Sequence, residues 1–406
     1  MVVVLVFLGP LVPAEAQARD GGLRGEIRAL LEERAAAVRQ GDRRTFLATI
    51  SRDSEEFVAA QRRWFDNLQT VRLASYELVV DWDLIGDLAS ASLRRRYGDA
   101  ERVVLPVTKE RYRIAGYDRG PVVQRSYFTF VERDGDWRIA SDFDVADVGL
   151  SSARAPWHFG PLTALRSRHI LLLQHPCDAV GCPVLGADFL GLAEEALRRV
   201  DARWRARWSR RVVVYEPRSA EELSELLDVS FDTTNFIAFA VTQDERSQSP
   251  SRVVVSSDGI AGRSPDDVIA VLAHELAHVA SRPLSGRSTP LFVEEGLAEY
   301  VGRGGDARSV DSYEAGTDGR ARIPRDSQFT TGSRDEIFAR YQAAHSAVRF
   351  FVRRWGFARF LRFYRSLGRL SEGLGTANYH LGRALEKTTG LDYPAFVRRW
   401  ADTIEP

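Results

Sequence analysis

Residues 264–278 read Ser-Pro-Asp-Asp-Val-Ile-Ala-Val-Leu-Ala-His-Glu-Leu-Ala-His, an order of residue types that specifies a helix. Ser264 is an N-cap, Pro265 fits the first helical position, and Asp266 and Asp267 sit where the helix dipole favours negative charge. His274 and His278 are four residues apart, so their rings share one face. Two imidazoles at that spacing reach a single zinc ion at roughly 2.0–2.1 Å. Glu275 follows about 100° further round the helix, where it meets a water on the metal rather than the metal itself. Leu272, Leu276 and Val279 form an adjacent apolar stripe that pins the helix into a core, and Ala270, Ala273 and Ala277 leave space near the histidines.

A second stretch, residues 290–300, reads Pro-Leu-Phe-Val-Glu-Glu-Gly-Leu-Ala-Glu-Tyr. A catalytic zinc keeps three protein ligands and one open position. Two histidines therefore call for one further donor, and both Glu294 and Glu295 are available. Neighbouring helical residues point about 100° apart, so one of the two faces the metal. Phe292 to Tyr300 resembles the Trp-Leu-x-Glu-Gly-x-Ala-x-Tyr block of the gluzincin metallopeptidases, in their aminopeptidase branch. Phe292 stands in the aromatic place and Val293 in the leucine place. The resemblance implies Glu295 as third zinc ligand, seventeen positions after His278.

Glu299 lies one turn beyond Glu295. A metal-bound histidine usually donates its other ring N–H to a carboxylate or carbonyl, and the resemblance implies that Glu299 receives it from His274. It also implies a tyrosine hydroxyl that steadies the oxyanion. Tyr341, in the helical run Ile337 to Val348, takes that place, and His345, one turn on, is the alternative donor. No Gly-Ala-Met-Glu-Asn-type amine anchor is present, which favours endopeptidase or narrowly specific cleavage. The implied activity is a zinc metallopeptidase, with peptide bonds hydrolysed by a zinc-activated water and Glu275 as general base. The strand Arg252 to Ser256 is expected to be the sheet edge that pairs with an extended substrate. The competing reading is a non-hydrolytic zinc-containing binding or envelope-assembly protein. The presence of Glu275 argues against it, because a structural zinc site has no use for a base.

Upstream of this region the pattern changes. Helical spacing in Ile27 to Val38, Phe46 to Ile50 and Phe57 to Phe65 precedes strand-like runs at Val71–Trp82, Leu88–Tyr97, Arg102–Ile114, Val122–Val131 and Trp137–Phe143. Asp134-Gly135 reads as a hairpin turn. Helices followed by paired strands give an α+β domain. The run Ala37-Val-Arg-Gln-Gly-Asp42 and the closing Trp137-Arg-Ile strand resemble the NTF2-like, cystatin-type family. The expected layout is a signal peptide over 1–18, an NTF2-like domain over 19–150, a linker over 151–165 and a zincin-like α/β plus helical peptidase domain over 166–406.

The 406 residues carry 56 Lys+Arg against 56 Asp+Glu, which excludes a whole-chain basic footprint for nucleic acid. No run reaches the 18 or more apolar residues of a membrane-spanning helix. The apolar run Val2 to Val12 followed by Ala16-Gln17-Ala18 has the form of a secretion signal, so a secreted or cell-envelope location is expected. In an oxidising compartment Cys177 and Cys182 most simply form one local disulfide, with free thiols or metal binding as alternatives. His158, His169, His175 and His380 have no motif partners and read as structural.

Overall fold

The computed structural model describes residues 14–84, 87–176, 185–227, 237–241, 250–286, 289–303, 322–369 and 377–404. Residues 1–13 of the expected signal peptide, and Cys177 and Cys182 with the expected disulfide, lie outside the described residues. The chain divides into two compact units, Met1–Tyr112 with Val123–Ala153, and Arg113–Val122 with Arg154–Pro406.

The first unit opens with helices α1 (Ala14–Gln40), α2 (Arg43–Ala48) and α3 (Glu55–Leu68). Asp42 and Ser54 cap α2 and α3 through their side-chain oxygens. Strand β1 (Leu73–Asp81), helix α4 (Ala91–Arg96) and strands β2 (Arg102–Val104), β3 (Val107–Ile114), β4 (Val122–Tyr127), β5 (Thr129–Arg133) and β6 (Asp136–Ser141) follow. They form two three-stranded sheets, ordered β1-β3-β4 and β2-β5-β6. The hairpin β5–β6 turns at Asp134-Gly135, both with positive φ, as a tight two-residue turn requires. The interior is apolar around Phe46, Trp64, Phe65 and Phe130, yet it encloses Arg34. The Arg34 guanidinium lies 3.9 Å from the Phe46 ring centre and donates to Thr49 (3.1 Å) and Gln61.

One expected strand is a helix. Within Leu88–Tyr97, Ser90 accepts from the Leu93 N–H at 3.0 Å and starts α4, so local capping wins over the alternating pattern. The expected linker 151–165 is also packed structure. Ala155 and Trp157 are buried, and strand β7 begins at Thr163. The large indole needed a core, which a loose linker does not provide.

The second unit holds a five-stranded sheet of β7 (Thr163–Arg166), β8 (Ile170–Gln174), β9 (Val212–Glu216), β10 (Ala238–Val241) and β11 (Arg252–Val255), in the order β10-β11-β9-β8-β7. The three central strands run parallel, and β7 and β10 close the edges antiparallel. Every residue of β8 and β9 is buried, as befits strands covered on both faces. Strand β11 is therefore interior, paired with β10 and β9, so the expectation that Arg252–Ser256 is a sheet edge is not met; among the described residues the outer strands are β10 and β7. Periodicity identifies a strand, but its neighbours come from non-local pairing that periodicity does not contain.

Helices α5 (Ala187–Arg203), α6 (Ala220–Leu227), α7 (Ser257–Ile260), α8 (Pro265–Ser281), α9 (Leu291–Arg303), α10 (Arg334–Trp355), α11 (Phe357–Arg369), α12 (Ala377–Thr389) and α13 (Tyr393–Ala401) complete the unit. One core joins α5, α8 and the sheet to α9–α13. No described helix is long and apolar enough to cross a membrane.

Candidate metal centre

Helix α8 starts as its sequence dictates, with Ser264 Oγ accepting from the Asp267 N–H at 3.2 Å. Its buried face carries Leu272, Leu276 and Ala273, which fixes the rotation that turns His274 and His278 toward α9. Two glycines set how closely α9 approaches its neighbours. A Cβ on Gly302 would lie 2.9 Å from the Ala270 carbonyl oxygen and 3.0 Å from the His274 nitrogen. A Cβ on Gly296 would lie 2.4 Å from the Ala344 carbonyl oxygen of α10. Helix α9 is thus held between α8 and α10 at backbone contact, and Glu295, next to Gly296, is carried in against the histidines.

The result is a triangle. His274 Nε2 lies 3.2 Å from His278 Nε2 and 3.2 Å from Glu295 Oε2, and His278 Nε2 lies 3.3 Å from the same oxygen. Ligand atoms about 2.0–2.1 Å from a tetrahedral ion stand roughly 3.3–3.4 Å apart. The three side chains therefore already have the edge length of a zinc tetrahedron, with donor chemistry of two imidazoles and one carboxylate that suits zinc. Among the described residues these are the only His, Cys, Asp or Glu side chains grouped in this way. Burial alone would raise the Glu295 pKa, but the two histidines hold it well below the usual carboxylate range. Burial likewise opposes protonation of His274, and Glu295 and Glu299 overcome it, raising its pKa well above the ordinary value. A cation at the centre of the triangle would replace that mutual attraction.

Glu294 points elsewhere. Its pKa is raised by burial, its carboxyl takes a hydrogen bond from Ser285, and it is not part of the triangle. Glu299 Oε1 lies 3.2 Å from His274 Nδ1, and its other oxygen accepts from Arg303, one turn further along α9. Arg303 was not singled out from sequence, although its i,i+4 spacing from Glu299 was the available signal. A carboxylate at that distance stands where it would take the Nδ1 proton, the arrangement that leaves Nε2 for a metal. Glu299→Ala is expected to weaken zinc affinity by roughly 10–100-fold while leaving the fold intact, measured by competition with a zinc chelator.

Glu275 is buried, which raises its pKa, with the two histidines and a backbone hydrogen bond from Ala240 of β10 pulling the other way. It opens into a cavity of about 370 Å³ lined by Ile237 and Ala238 at the sheet edge, Val271, Phe338 and Tyr341. The Tyr341 ring lies 6.0 Å from the His274 ring and is held edge-on by Phe329 at 5.4 Å. Burial, then the nearby Glu295, Glu275 and Glu299, keep its phenol protonated far above the ordinary range. Helix α10, which carries it, is anchored by a capping box in which Ser333 and Glu336 each receive the other's backbone N–H.

His345 is fully buried and does not line the cavity; burial first of all pushes its pKa down to about 4. Of the two candidate donors, the structure brings Tyr341 and not His345 to the cavity beside Glu275. The other histidines are held apart from the triangle. His169 Nδ1 lies 2.8 Å from Glu194, and His175 is enclosed by Pro161, Tyr215 and Glu222.

No protein-family profile matches this sequence, and no curated protein matches it. Among solved structures, similar chains include the M1 zinc metallopeptidase from Deinococcus radiodurans, at 14% identity and TM-score 0.35, over 68% of this chain and 59% of that chain. A single-site mutant of that enzyme matches at 14% identity and TM-score 0.34, over 68% of this chain and 60% of that chain. The chain thus spans about 60% of the length of these zinc metallopeptidases.

Proposed function

We propose that this chain is a zinc-dependent metallopeptidase of the gluzincin type, exported from the cell and carrying an NTF2-like domain ahead of its catalytic unit. The observation that carries the reading is the triangle of His274, His278 and Glu295 at zinc-ligand spacing, with the buried Glu275 beside it at the mouth of a cavity. These three residues would hold the ion. When bound, zinc supplies Lewis-acid polarisation of the scissile carbonyl and acidification of water.

The chain's own groups do the rest. Glu275 takes the proton from the attacking water and passes it to the leaving amine, and its place at the mouth of the cavity, outside the ligand triangle, suits both halves of that transfer. Tyr341 donates its hydroxyl to the oxyanion as charge develops there. Among the described residues β10 is an outer strand of the sheet, and Ile237 and Ala238 beside it line the cavity, so an extended peptide would run along this side of the sheet. Glu299 holds His274 in the required tautomer.

Two measurements test the reading. Hydrolysis of a broad peptide library by zinc-loaded protein should disappear with a chelator and return with zinc; a zinc-loaded protein inert across that library would reject it in favour of a binding protein. Tyr341→Phe keeps the ring against Phe329 and removes only the hydroxyl. It should preserve zinc content and lower kcat on the order of 10²–10³-fold. An unchanged kcat would remove Tyr341 from the reaction.

A further inference from the structure

On a different part of the second unit lies a groove of about 700 Å³, formed by the end of α5, Tyr300 of α9 and the first turns of α11. Four arginines line it, Arg203, Arg205, Arg362 and Arg365, and among the described residues no carboxylate does. Its floor includes Tyr300 and Phe357, whose rings stack at 5.9 Å and 16°. Arg205, Arg362 and Arg365 form no ion pair among the described residues, in a chain whose charges otherwise balance.

The asymmetry is written into the sequence. Between Glu336 and Glu372 there are eight arginines and no Asp or Glu. Helix α11 buries Phe360, Leu361, Phe363, Tyr364 and Leu367 and turns Arg359, Arg362 and Arg369 outward. Unpaired guanidinium groups gathered in one recess repel one another, a cost that an anionic partner removes.

We propose that this groove is a docking site for an acidic polypeptide segment, distinct from the metal centre. Guanidinium forks match carboxylates two bonds at a time, and the aromatic floor suits the methylene stems of Glu side chains. Three observations favour a peptide over other polyanions. The chain has no net positive charge to draw in nucleic acid at long range. The apolar face of α11 is buried in the core, so none is left to enter a lipid surface. The recess has the volume of a site for a few residues, not of an extended track. It shares no lining residue with the cavity beside Glu275, but both draw on α9, where Tyr300 stands about 7.5 Å along the axis from Glu295. An acidic segment docked here is tethered close to the metal centre.

The test uses the full chain and fluorescence anisotropy with labelled octaglutamate. Comparison probes are a neutral Gly-Ser octapeptide, an eight-residue oligothymidylate and phosphatidylglycerol vesicles. Octaglutamate should bind in a salt-dependent manner, and the double variant Arg362→Glu, Arg365→Glu should lose at least about tenfold in affinity. The variant's melting temperature and zinc content should match wild type, which separates loss of docking from loss of fold. Absence of octaglutamate binding, or equal binding by the double variant, overturns the proposal. So does tighter binding of the oligonucleotide or vesicles that the same substitutions abolish. Because binding is read without turnover, this result is independent of whether the metal centre hydrolyses peptides.

Discussion

Replacing Glu275 by Gln is expected to leave one zinc per chain in place and to reduce peptide hydrolysis by about 10²–10⁴-fold. Gln keeps the volume and a hydrogen-bonding oxygen, so the Ala240 backbone N–H retains its acceptor and β10 keeps its place against α8. What is lost is the ability to take and return a proton. Glu275 is not part of the ligand triangle, so metal content is the internal control. Rate measurements on zinc-matched wild-type and variant protein check this. A variant as active as wild type would show that the base lies elsewhere, and a zinc-free variant would show that Glu275 is a ligand.

The second large effect follows from removing a ligand. Apparent zinc-binding free energies of about 10–16 kcal/mol, shared among four ligands, make each worth roughly 2.5–4 kcal/mol. His278→Ala should therefore weaken zinc binding by about 10²–10³-fold and abolish hydrolysis at zinc concentrations that saturate wild type. It also leaves Glu295 with one imidazole in place of two. Equilibrium dialysis against a competing chelator reads the affinity directly, and the loss should exceed that from Glu299→Ala. Equal losses from the two substitutions would remove the distinction between a ligand and a residue that orients one.

Much of this site is legible in the sequence because the chemistry is local. Two histidines one turn apart on a capped helix share a face wherever that helix packs, and a glycine beside Glu295 lets a second helix come close. What the sequence did not contain was the set of non-local neighbours. Tyr341 and His345 lie one turn apart on α10, and only the close α9–α10 crossing at Gly296 decides which of them meets the cavity. The edge strand was misplaced for the same reason. The stretch Arg252–Val255 reads as a short apolar strand whatever pairs with it, and the sheet order puts β10 outside it. In the first unit a single serine cap turned an expected strand into α4.

The central claim is that His274, His278 and Glu295 close on one zinc ion. Anomalous diffraction at the zinc edge, from crystals of zinc-loaded protein, tests it most directly. The account predicts one strong peak per chain, about 2.0–2.2 Å from His274 Nε2, His278 Nε2 and a Glu295 carboxylate oxygen. No peak at the triangle, or a peak bound by Glu294 in place of Glu295, would contradict it.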